Sequence, residues 1–404
     1  MMILWLYFIS FFLVAAGIAF SLTPFVRKLT IQYQVMDVPD ERKPHEHAIP
    51  TMGGIAMYVA FFAAILVANI SYSFWMDEPL FQNFKIGHLF LGATPLVLAG
   101  MIDDRFHINY KWKLAVQIAV AISMIYSGYG IYGITNPFNG ETVPLGFLSN
   151  VVTIFWFLFI INAINFMDGI DGLAAGVSLI ALLTIFVVSI YLGHVPIAVL
   201  AIILAGAIIG FLRYNFYPAS IFMGDTGSLF LGFLIAILSL HGAQKSSTAV
   251  ALAIPIVILG LPILDAIGAV IRRWSSEWAR SRTLPARVFS WRKVFYPDLG
   301  HIHHRLLAHG LTKPETVALL YLVAFGFGVM GFVLVAARYQ QIAAILLYMG
   351  VVFFIAFRKF PVFRRLLTDV VTNTNPVELN QASDSELTEG KRESVEDPSE
   401  MVRK

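Results

Sequence analysis

The chain has 404 residues, of which 58% are hydrophobic and 13% are charged, and its formal net charge is +3. Soluble domains carry about 25% charged residues, so this chain has too little polar surface to be covered by water. The composition therefore excludes a soluble multidomain protein and a disordered one, and the small net charge argues against nucleic acid as a partner. The sequence contains no cysteine, which excludes disulfides, cysteine zinc sites and thiol catalysis.

Eleven apolar segments are long enough to cross a bilayer, which requires about 17–25 residues per helix. They are 2–26, 52–70, 86–102, 114–134, 149–166, 173–193, 195–212, 227–243, 248–271, 316–337 and 339–357. The first segment is followed by Arg27 and Lys28 and preceded by no basic residue, which indicates a retained helix rather than a signal peptide. The sequence thus predicts an all-α, polytopic integral membrane protein of about eleven transmembrane helices.

The distribution of basic residues predicts the orientation of these helices. The connecting segments on one side hold 25 of the 28 Lys and Arg residues, and the other side holds Lys85, Lys245 and Arg338. Because Lys and Arg accumulate in cytoplasmic loops, we predict an outer N-terminus and a cytoplasmic C-terminus.

The predicted domain organisation is a multi-span catalytic domain, 1–358, followed by a polar cytoplasmic tail, 359–404, which we expect to be disordered. One large cytoplasmic loop, 272–315, belongs to the first domain. Acidic residues outside the tail gather at the cytoplasmic ends of spans, whereas transporters bind their substrates near the bilayer midplane. This favours a cytoplasmic-face enzyme that joins a water-soluble substrate to a lipid headgroup. A transporter, a metal-dependent phosphatase and a non-enzymatic scaffold are the alternatives.

Three motifs place acidic residues at this face. Asp103 and Asp104 are adjacent carboxylates whose repulsion a divalent cation or a cationic substrate pocket would relieve; the alternative is a solvated helix end. In NAINFMDGIDGLA (162–174), Asn162, Asn165 and Asp168 are spaced by three residues and share a helix face. Such oxygen ligands suit Mg²⁺ or Mn²⁺, whereas the alternative is helix capping. In RYNFYPASIFMGDTGS (213–228), Asp225 is a candidate metal ligand or, alternatively, an N-cap.

Two basic motifs and one aromatic residue complete the set. The histidines of HIHH (301–304) could bind a metal or a pyrophosphate, or form an exposed basic stretch beside anionic lipid. Phe222 could stack on a base or serve as a buried anchor. Arg42, Lys43 and His45, in the loop 37–54, could receive phosphates or simply reflect the cytoplasmic charge bias.

In this order, the five motifs resemble the polyprenyl-phosphate N-acetylhexosamine-1-phosphate transferases of glycosyltransferase family 4 type, from about residue 30 to about residue 312. Within this superfamily they look most like the bacterial undecaprenyl-phosphate GlcNAc-1-phosphate transferases. The resemblance implies transfer of GlcNAc-1-phosphate from a UDP-N-acetylhexosamine to undecaprenyl phosphate, releasing UMP, with Mg²⁺ or Mn²⁺. It implies a bacterial cytoplasmic-membrane enzyme of cell-surface polysaccharide synthesis, such as O-antigen synthesis, that contacts membrane lipid. A phospho-N-acetylmuramoyl-pentapeptide transferase is the alternative within the superfamily, and a homodimer is left open.

The resemblance also assigns roles to residues that match the motifs of the superfamily. It implies catalytic roles for Asp103, Asp104, Asp168, His301, His303 and His304. It implies a metal site at Asp225, with Asp168 and Asp171. Residues expected to bind substrate are Asn165, Asn215, Phe222, Lys113, Arg42, Lys43 and His45. One departure is His107, which stands where many members have a third aspartate after the acidic pair.

Overall fold

The computed structural model of the protein describes residues 2–38, 47–76, 80–81, 85–135, 142–244, 253–280 and 301–336. These residues form twelve helices and two short antiparallel hairpins. The helices are α1 (Met2–Gln32), α2 (Gly54–Met76), α3 (Ile86–Phe106), α4 (Tyr110–Tyr126), α5 (Leu148–Met167), α6 (Leu173–Tyr191), α7 (Val195–Asn215), α8 (Gly224–Gln244), α9 (Ala253–Ile258), α10 (Gly260–Arg280), α11 (Ile302–Ala308) and α12 (Lys313–Ala336). The hairpins pair β1 (Met36–Asp37) with β2 (Ile49–Pro50), and β3 (Gly133–Thr135) with β4 (Thr142–Pro144).

Seven of these helices, α1, α2, α3, α5, α6, α7 and α12, are long and apolar enough to cross a membrane. Two further apolar stretches, Gly224–Leu240 and Gly260–Val270, are shorter. The prediction of a mainly helical, multi-pass membrane protein is therefore confirmed. The last predicted span, 339–357, and the tail, 359–404, lie outside the described residues. The number of eleven spans and the orientation of the termini stay predictions.

The structure corrects the end of the fourth predicted span. We predicted a helix over 114–134, but α4 ends at Tyr126 and β3 follows from Gly133. Gly128 has a φ of +92°, a left-handed conformation that glycine adopts readily and that typically ends a helix. The apolar run continues past this point because Tyr129 and Ile131 are buried outside any helix. Hydrophobicity therefore overestimated the length of the helix, and the two hairpins were not predicted.

The ninth predicted span is interrupted. Within 248–271, α9 ends at Ile258 and α10 begins at Gly260. Pro262 lies in the first turn of α10, where its ring cannot coexist with a regular helical carbonyl at Ile258. Proline at this position explains the break between the two helices.

Helix α8 positions the acidic motifs because it lies in the middle of the helical packing. Every residue from Thr226 to Leu240 is buried, and α8 packs mainly against α3 and α5. At its N-terminal end, a Cβ atom at Gly54 or Gly100 would overlap the α8 backbone at Gly227 or Thr226. Helices α2 and α3 therefore approach the first turn of α8 backbone to backbone, which requires glycine at both positions.

The chain divides into two compact units. The first comprises Met1–Ala266 and Thr312–Met349, and contains α1 to α9, the start of α10 and α12. The second comprises Ile267–Leu311 and Gly350–Lys404, of which the structure describes 267–280 and 301–311. The acidic motifs belong to the first unit and the HIHH motif to the second.

Candidate active site

Asp225 lies in the first turn of α8 and is held by side chains from two other helices. Its Oδ1 atom accepts a hydrogen bond from Nδ2 of Asn165 on α5, at 2.9 Å. Its Oδ2 atom contacts Nζ of Lys113 on α4, at 2.8 Å. Both carboxylate oxygens thus point towards neighbouring helices, so the interpretation of Asp225 as the N-cap of its own helix is wrong.

Asp104, near the end of α3, caps α8 instead. Its Oδ1 atom accepts the backbone N–H of Asp225 at 2.8 Å. Its Oδ2 atom accepts the N–H of Thr226 at 3.2 Å and the hydroxyl of Thr226 at 2.6 Å. The first N–H groups of a helix have no partner within the helix and form the positive end of its dipole, so a carboxylate there is stabilising. Asp104 therefore sets the position of the backbone that carries Asp225.

Lys113 joins the carboxylates of Asp103 and Asp225. Its Nζ atom lies 3.0 Å from Oδ2 of Asp103 and 2.8 Å from Oδ2 of Asp225. All three side chains are mostly but not fully buried, with relative exposures of 24% for Lys113, 13% for Asp103 and 20% for Asp225. The alternative interpretation of the acidic pair as a solvated helix end is therefore wrong. One ammonium group bridges two carboxylates that come from different helices.

A layer of neutral polar side chains continues from this cluster into the helical packing. Asn165 donates a second hydrogen bond to Oγ of Ser228, at 2.8 Å, one turn further along α8. Asn162, on the same face of α5, donates to Oε1 of Gln117 at 2.7 Å, and Gln117 is only 2% exposed. The predicted common helix face is thus confirmed for Asn162 and Asn165, which face α4 and α8, but the third predicted member, Asp168, lies past the end of α5.

Asp168 follows α5 directly, as its C-cap residue. Burial raises the pKa of the Asp168 carboxyl well above its usual range, and the charges of Asp225, Asp104, Asp37 and Asp171 raise it further. Carboxylates that share a buried site resist simultaneous ionisation. The cluster therefore combines oxygen ligands with an electrostatic demand for positive charge, which fits a divalent cation in chemical type.

Asp171 and Asn215 hold the loop between α7 and α8. Asp171 Oδ2 accepts the N–H of Ala219 at 2.8 Å, and Asn215 Nδ2 donates to the carbonyl of Ile221 at 3.0 Å. Both side chains are buried. Phe222, at the end of this loop, donates its backbone N–H to the carbonyl of Pro50 at 2.8 Å and has a half-buried side chain. These contacts order the loop, and a nucleotide contact by these residues stays a prediction.

The HIHH motif begins α11 in the second unit. His301 is the extended N-cap residue, and its ring stacks on that of His303 with centroids 5.9 Å apart and planes within 7°. The ring of His304 lies 4.2 Å from that of His303. Residues two apart on a helix do not share a face, but His301 precedes the helix, so its ring can align with that of His303. The motif thus forms one compact group of imidazoles.

The structure places the predicted site residues in different locations. The structure brings Asp103, Asp104, Lys113, Asn165 and Asp225 into direct contact through the first turn of α8. Asp168 interacts with this group through the electrostatic repulsion between its carboxylate and those of Asp104 and Asp225, and the carboxylate of Asp171 repels that of Asp168. Asn215 and Phe222 lie in the adjoining loop. Arg42, Lys43 and His45 lie outside the described residues. Within the described part of the chain, no group of three or more His, Asp or Glu side chains is already arranged around a single metal position.

Some residues of this site were missed from the sequence. Ser228 and Gln117 follow Asp225 and Lys113 by three and four residues, so helical spacing could have indicated both. Asp37, in β1, contributes charge at Asp168 although the two residues are distant in sequence. Tyr321 on α12 donates its hydroxyl to the carbonyl of Gly172 at 2.6 Å, across 149 positions of sequence, and no sequence signal indicates this contact.

Comparison with known proteins is consistent with this geometry. Residues 86–243 match the family model described as glycosyl transferase family 4. A probable undecaprenyl-phosphate N-acetylglucosaminyl 1-phosphate transferase of Bacillus subtilis is 37% identical over 326 residues, which cover 81% of this chain and 84% of the relative. A decaprenyl-phosphate N-acetylglucosaminephosphotransferase of Mycolicibacterium smegmatis is 33% identical, covering 78% and 80%. A phospho-N-acetylmuramoyl-pentapeptide-transferase of Clostridium botulinum is 28% identical, covering 78% and 94%.

Proposed function

The chain belongs to the family 4 glycosyl transferases, the superfamily of polyprenyl-phosphate N-acetylhexosamine-1-phosphate transferases, and we propose that it transfers GlcNAc-1-phosphate from UDP-GlcNAc to undecaprenyl phosphate. The products are undecaprenyl-diphospho-GlcNAc and UMP, in the first membrane step of a cell-surface polysaccharide. The observation that carries this proposal is the arrangement around Asp225: α4 and α5 supply an ammonium group and an amide to its carboxylate, and Asp104 of α3 accepts its backbone N–H. We place the reaction at the cytoplasmic face of the bacterial inner membrane.

In this proposal, Asp225 and Asp168, with Asp171 beside them, hold Mg²⁺ or Mn²⁺. Carboxylates are the ligands that these ions prefer, and the ion supplies charge neutralisation for the diphosphate of the donor. Asn215 and Phe222 border the uridine, whereas the three histidines of HIHH and the basic residues Arg42, Lys43 and His45 bind phosphates. The role of the protein is mainly to align two phosphates and to offset their charge.

The acceptor needs little chemical activation. A phosphate monoester has a second pKa near ~6 and is mostly dianionic at neutral pH. An oxygen of the lipid phosphate forms a bond to the β-phosphorus of UDP-GlcNAc, the bond from this phosphorus to the bridging oxygen breaks, and UMP leaves. Asp103, which already contacts Lys113, orients the acceptor or takes its remaining proton. Asp104 supports the reaction through α8, because both of its oxygens accept hydrogen bonds from that helix.

The test is UMP release by purified protein in detergent, supplied with UDP-GlcNAc, undecaprenyl phosphate and Mg²⁺, with each component omitted in turn. Release that requires all three supports the proposal, and Asp225→Asn should abolish it. Lys111→Met is a matched control, because Lys111 is an exposed residue of α4. Release only with UDP-MurNAc-pentapeptide would instead identify the peptidoglycan-precursor reaction. Phosphate release without a lipid acceptor would identify a phosphatase.

A further inference from the structure

Lys113 occupies the position where positive charge is needed in the candidate active site. Its ammonium group lies within 3.0 Å of Asp103 and within 2.8 Å of Asp225, and so joins α3 to α8. Asp225 is also the carboxylate that we propose as a metal ligand. Because Asn165 already holds Oδ1 of Asp225, a metal ion that binds Oδ2 would share this oxygen with the lysine.

The Lys113 ammonium group and a divalent metal ion on the same carboxylate oxygen would repel each other. A Mg²⁺ ion lies about 2.1 Å from a carboxylate oxygen. With Nζ at 2.8 Å from that oxygen, the ammonium and a bound ion would be less than about 5 Å apart. At such a distance in a largely buried site, the repulsion between a single and a double positive charge is strong. Binding of the metal ion to Oδ2 therefore favours departure of the ammonium group from this oxygen.

We propose that Lys113 is a built-in counter-ion that the metal displaces, and that the displaced ammonium then binds the phosphates of the substrates. This inference rests on the proposed function, because it takes Asp225 as a metal ligand. In the metal-free protein Lys113 offsets the repulsion of Asp103 and Asp225. In the loaded protein the metal neutralises Asp225, and the ammonium exchanges a carboxylate for a phosphate oxygen.

The surroundings of Asp225 allow this exchange without moving a helix. Asn165 holds Oδ1 of Asp225 at 2.9 Å, so the carboxylate stays oriented when Oδ2 is released. Asp104 fixes the backbone of the same turn through the N–H groups of Asp225 and Thr226. Lys113 itself is 24% exposed and has a flexible four-carbon stem with a compact, rotatable charge. The lysine is therefore the mobile partner in an otherwise fixed site.

The exchange couples metal binding to substrate binding. A metal that binds the protein without nucleotide must break the Lys113–Asp225 ion pair, so its affinity is lower than the carboxylates alone would provide. A phosphate that captures the released ammonium recovers part of this loss. Metal and nucleotide sugar should therefore each strengthen the binding of the other through Lys113, as linkage requires.

The test measures Mn²⁺ binding to the full chain in neutral detergent without nucleotide, by electron paramagnetic resonance of the free ion. Lys113→Met should bind Mn²⁺ about tenfold more tightly than wild type, a difference of about 1.4 kcal/mol. At saturating Mn²⁺, the same variant should bind UDP-GlcNAc about tenfold more weakly by isothermal titration calorimetry. Lys111→Met, two residues away and exposed, should match wild type in both measurements.

Opposite shifts for the two ligands distinguish the exchange from structural damage, which would weaken both. Lys113→Arg retains the charge and should keep the Mn²⁺ affinity near the wild-type value. Unchanged or weaker Mn²⁺ binding by Lys113→Met, or no Mn²⁺ binding by either protein, would overturn the exchange. UMP release by wild type tests the proposed function separately, so a wrong donor leaves the Mn²⁺ result intact as evidence for the exchange.

Discussion

Asp104 offers the sharpest test of how this site is built, because its carboxylate accepts three hydrogen bonds from the first turn of α8. The N–H of Asp225 donates to one oxygen, and the N–H and hydroxyl of Thr226 donate to the other. Asp104→Asn keeps the size of the side chain but replaces one acceptor oxygen with an NH₂ group. Every orientation of the new amide then places a donor against a donor.

The loss in free energy of unfolding depends on how many of these three hydrogen bonds the amide can still accept. If the amide oxygen faces Thr226, the hydrogen bond from the Asp225 N–H is broken. In the reverse orientation the bond from the Thr226 N–H is broken, and the Thr226 hydroxyl can only accept from the new NH₂ group. Hydrogen bonds to charged groups contribute about 1.5–3 kcal/mol each. Removing the negative charge at a helix N-terminus costs about 0.3–1 kcal/mol more. We therefore expect Asp104→Asn to lower the free energy of unfolding by about 2–4 kcal/mol.

The assay is equilibrium unfolding in detergent by denaturant titration, followed by tryptophan fluorescence, with UMP release measured on the same preparations. Asp103→Asn is the matched comparison, since Asp103 contacts Lys113 rather than α8. It should lose activity with a smaller loss of stability than Asp104→Asn, because Lys113 keeps its ion pair with Asp225. Thr226→Val removes only the hydroxyl bond to this carboxylate and should cost about 1.5–3 kcal/mol.

The result that would refute this reasoning is an Asp104→Asn protein within about 0.5 kcal/mol of wild type, the usual range of a neutral surface substitution, but inactive. Asp104 would then act directly on a substrate, and its hydrogen bonds to α8 would contribute little. A large loss of stability shared equally by Asp103→Asn would also contradict the distinction between the two residues.

Three further predictions concern packing, a distant contact and pH. Gly100→Ala should lower the free energy of unfolding by about 1–3 kcal/mol in the same titration, because the added methyl group meets the α8 backbone. Tyr321→Phe should cost about 1 kcal/mol by the same measurement, because it removes only the hydroxyl that donates to Gly172. The pKa of Asp168 is higher in the folded than in the unfolded chain, so the folded protein binds the proton more tightly. The stability of metal-free protein should therefore fall as pH rises from the ordinary carboxyl pKa through the raised one, and Asp168→Asn should flatten a plot of Tm against pH.

Each of these predictions has a matched control. Gly87→Ala adds a methyl group to the same helix where no atom lies within 4 Å, and should be neutral or stabilising. An equal loss of stability at both glycines would rule out close approach as the cause. Tyr126→Phe should be neutral because Tyr126 is 88% exposed, and a comparable loss there would count against the Tyr321 contact. An identical pH profile for wild type and Asp168→Asn would contradict the raised pKa of Asp168.

The sequence alone was sufficient for the features that depend on local composition and spacing. Long apolar runs predicted the spanning helices, because a helix in lipid must satisfy its backbone internally and cover it with apolar side chains. The three-residue spacing of Asn162 and Asn165 predicted their common face, since it follows from helix geometry. The motifs in their order indicated the family.

Spacing could not reveal which atoms meet, because the partners in the site are distant in sequence. Asp104 and Thr226 are separated by 122 positions, and Lys113 and Asp225 by 112. Whether Asp225 caps its own helix or is held by others depends on the approach of α3 to α8, which Gly100 permits. Apolar sequence alone also could not distinguish a helix from the buried turn after Tyr126.

The sequence by itself determined the class of protein, the main helices and the residue types of the site, since these follow from hydrophobicity, helical period and ligand chemistry. The tertiary structure decided the division of roles among the acidic residues. Asp104 accepts the unpaired N–H groups of α8, Asp103 and Asp225 share one ammonium, and Asp168 lies among other carboxylates. Identical side chains acquire different tasks because charge, burial and hydrogen-bond partners are properties of packed neighbours.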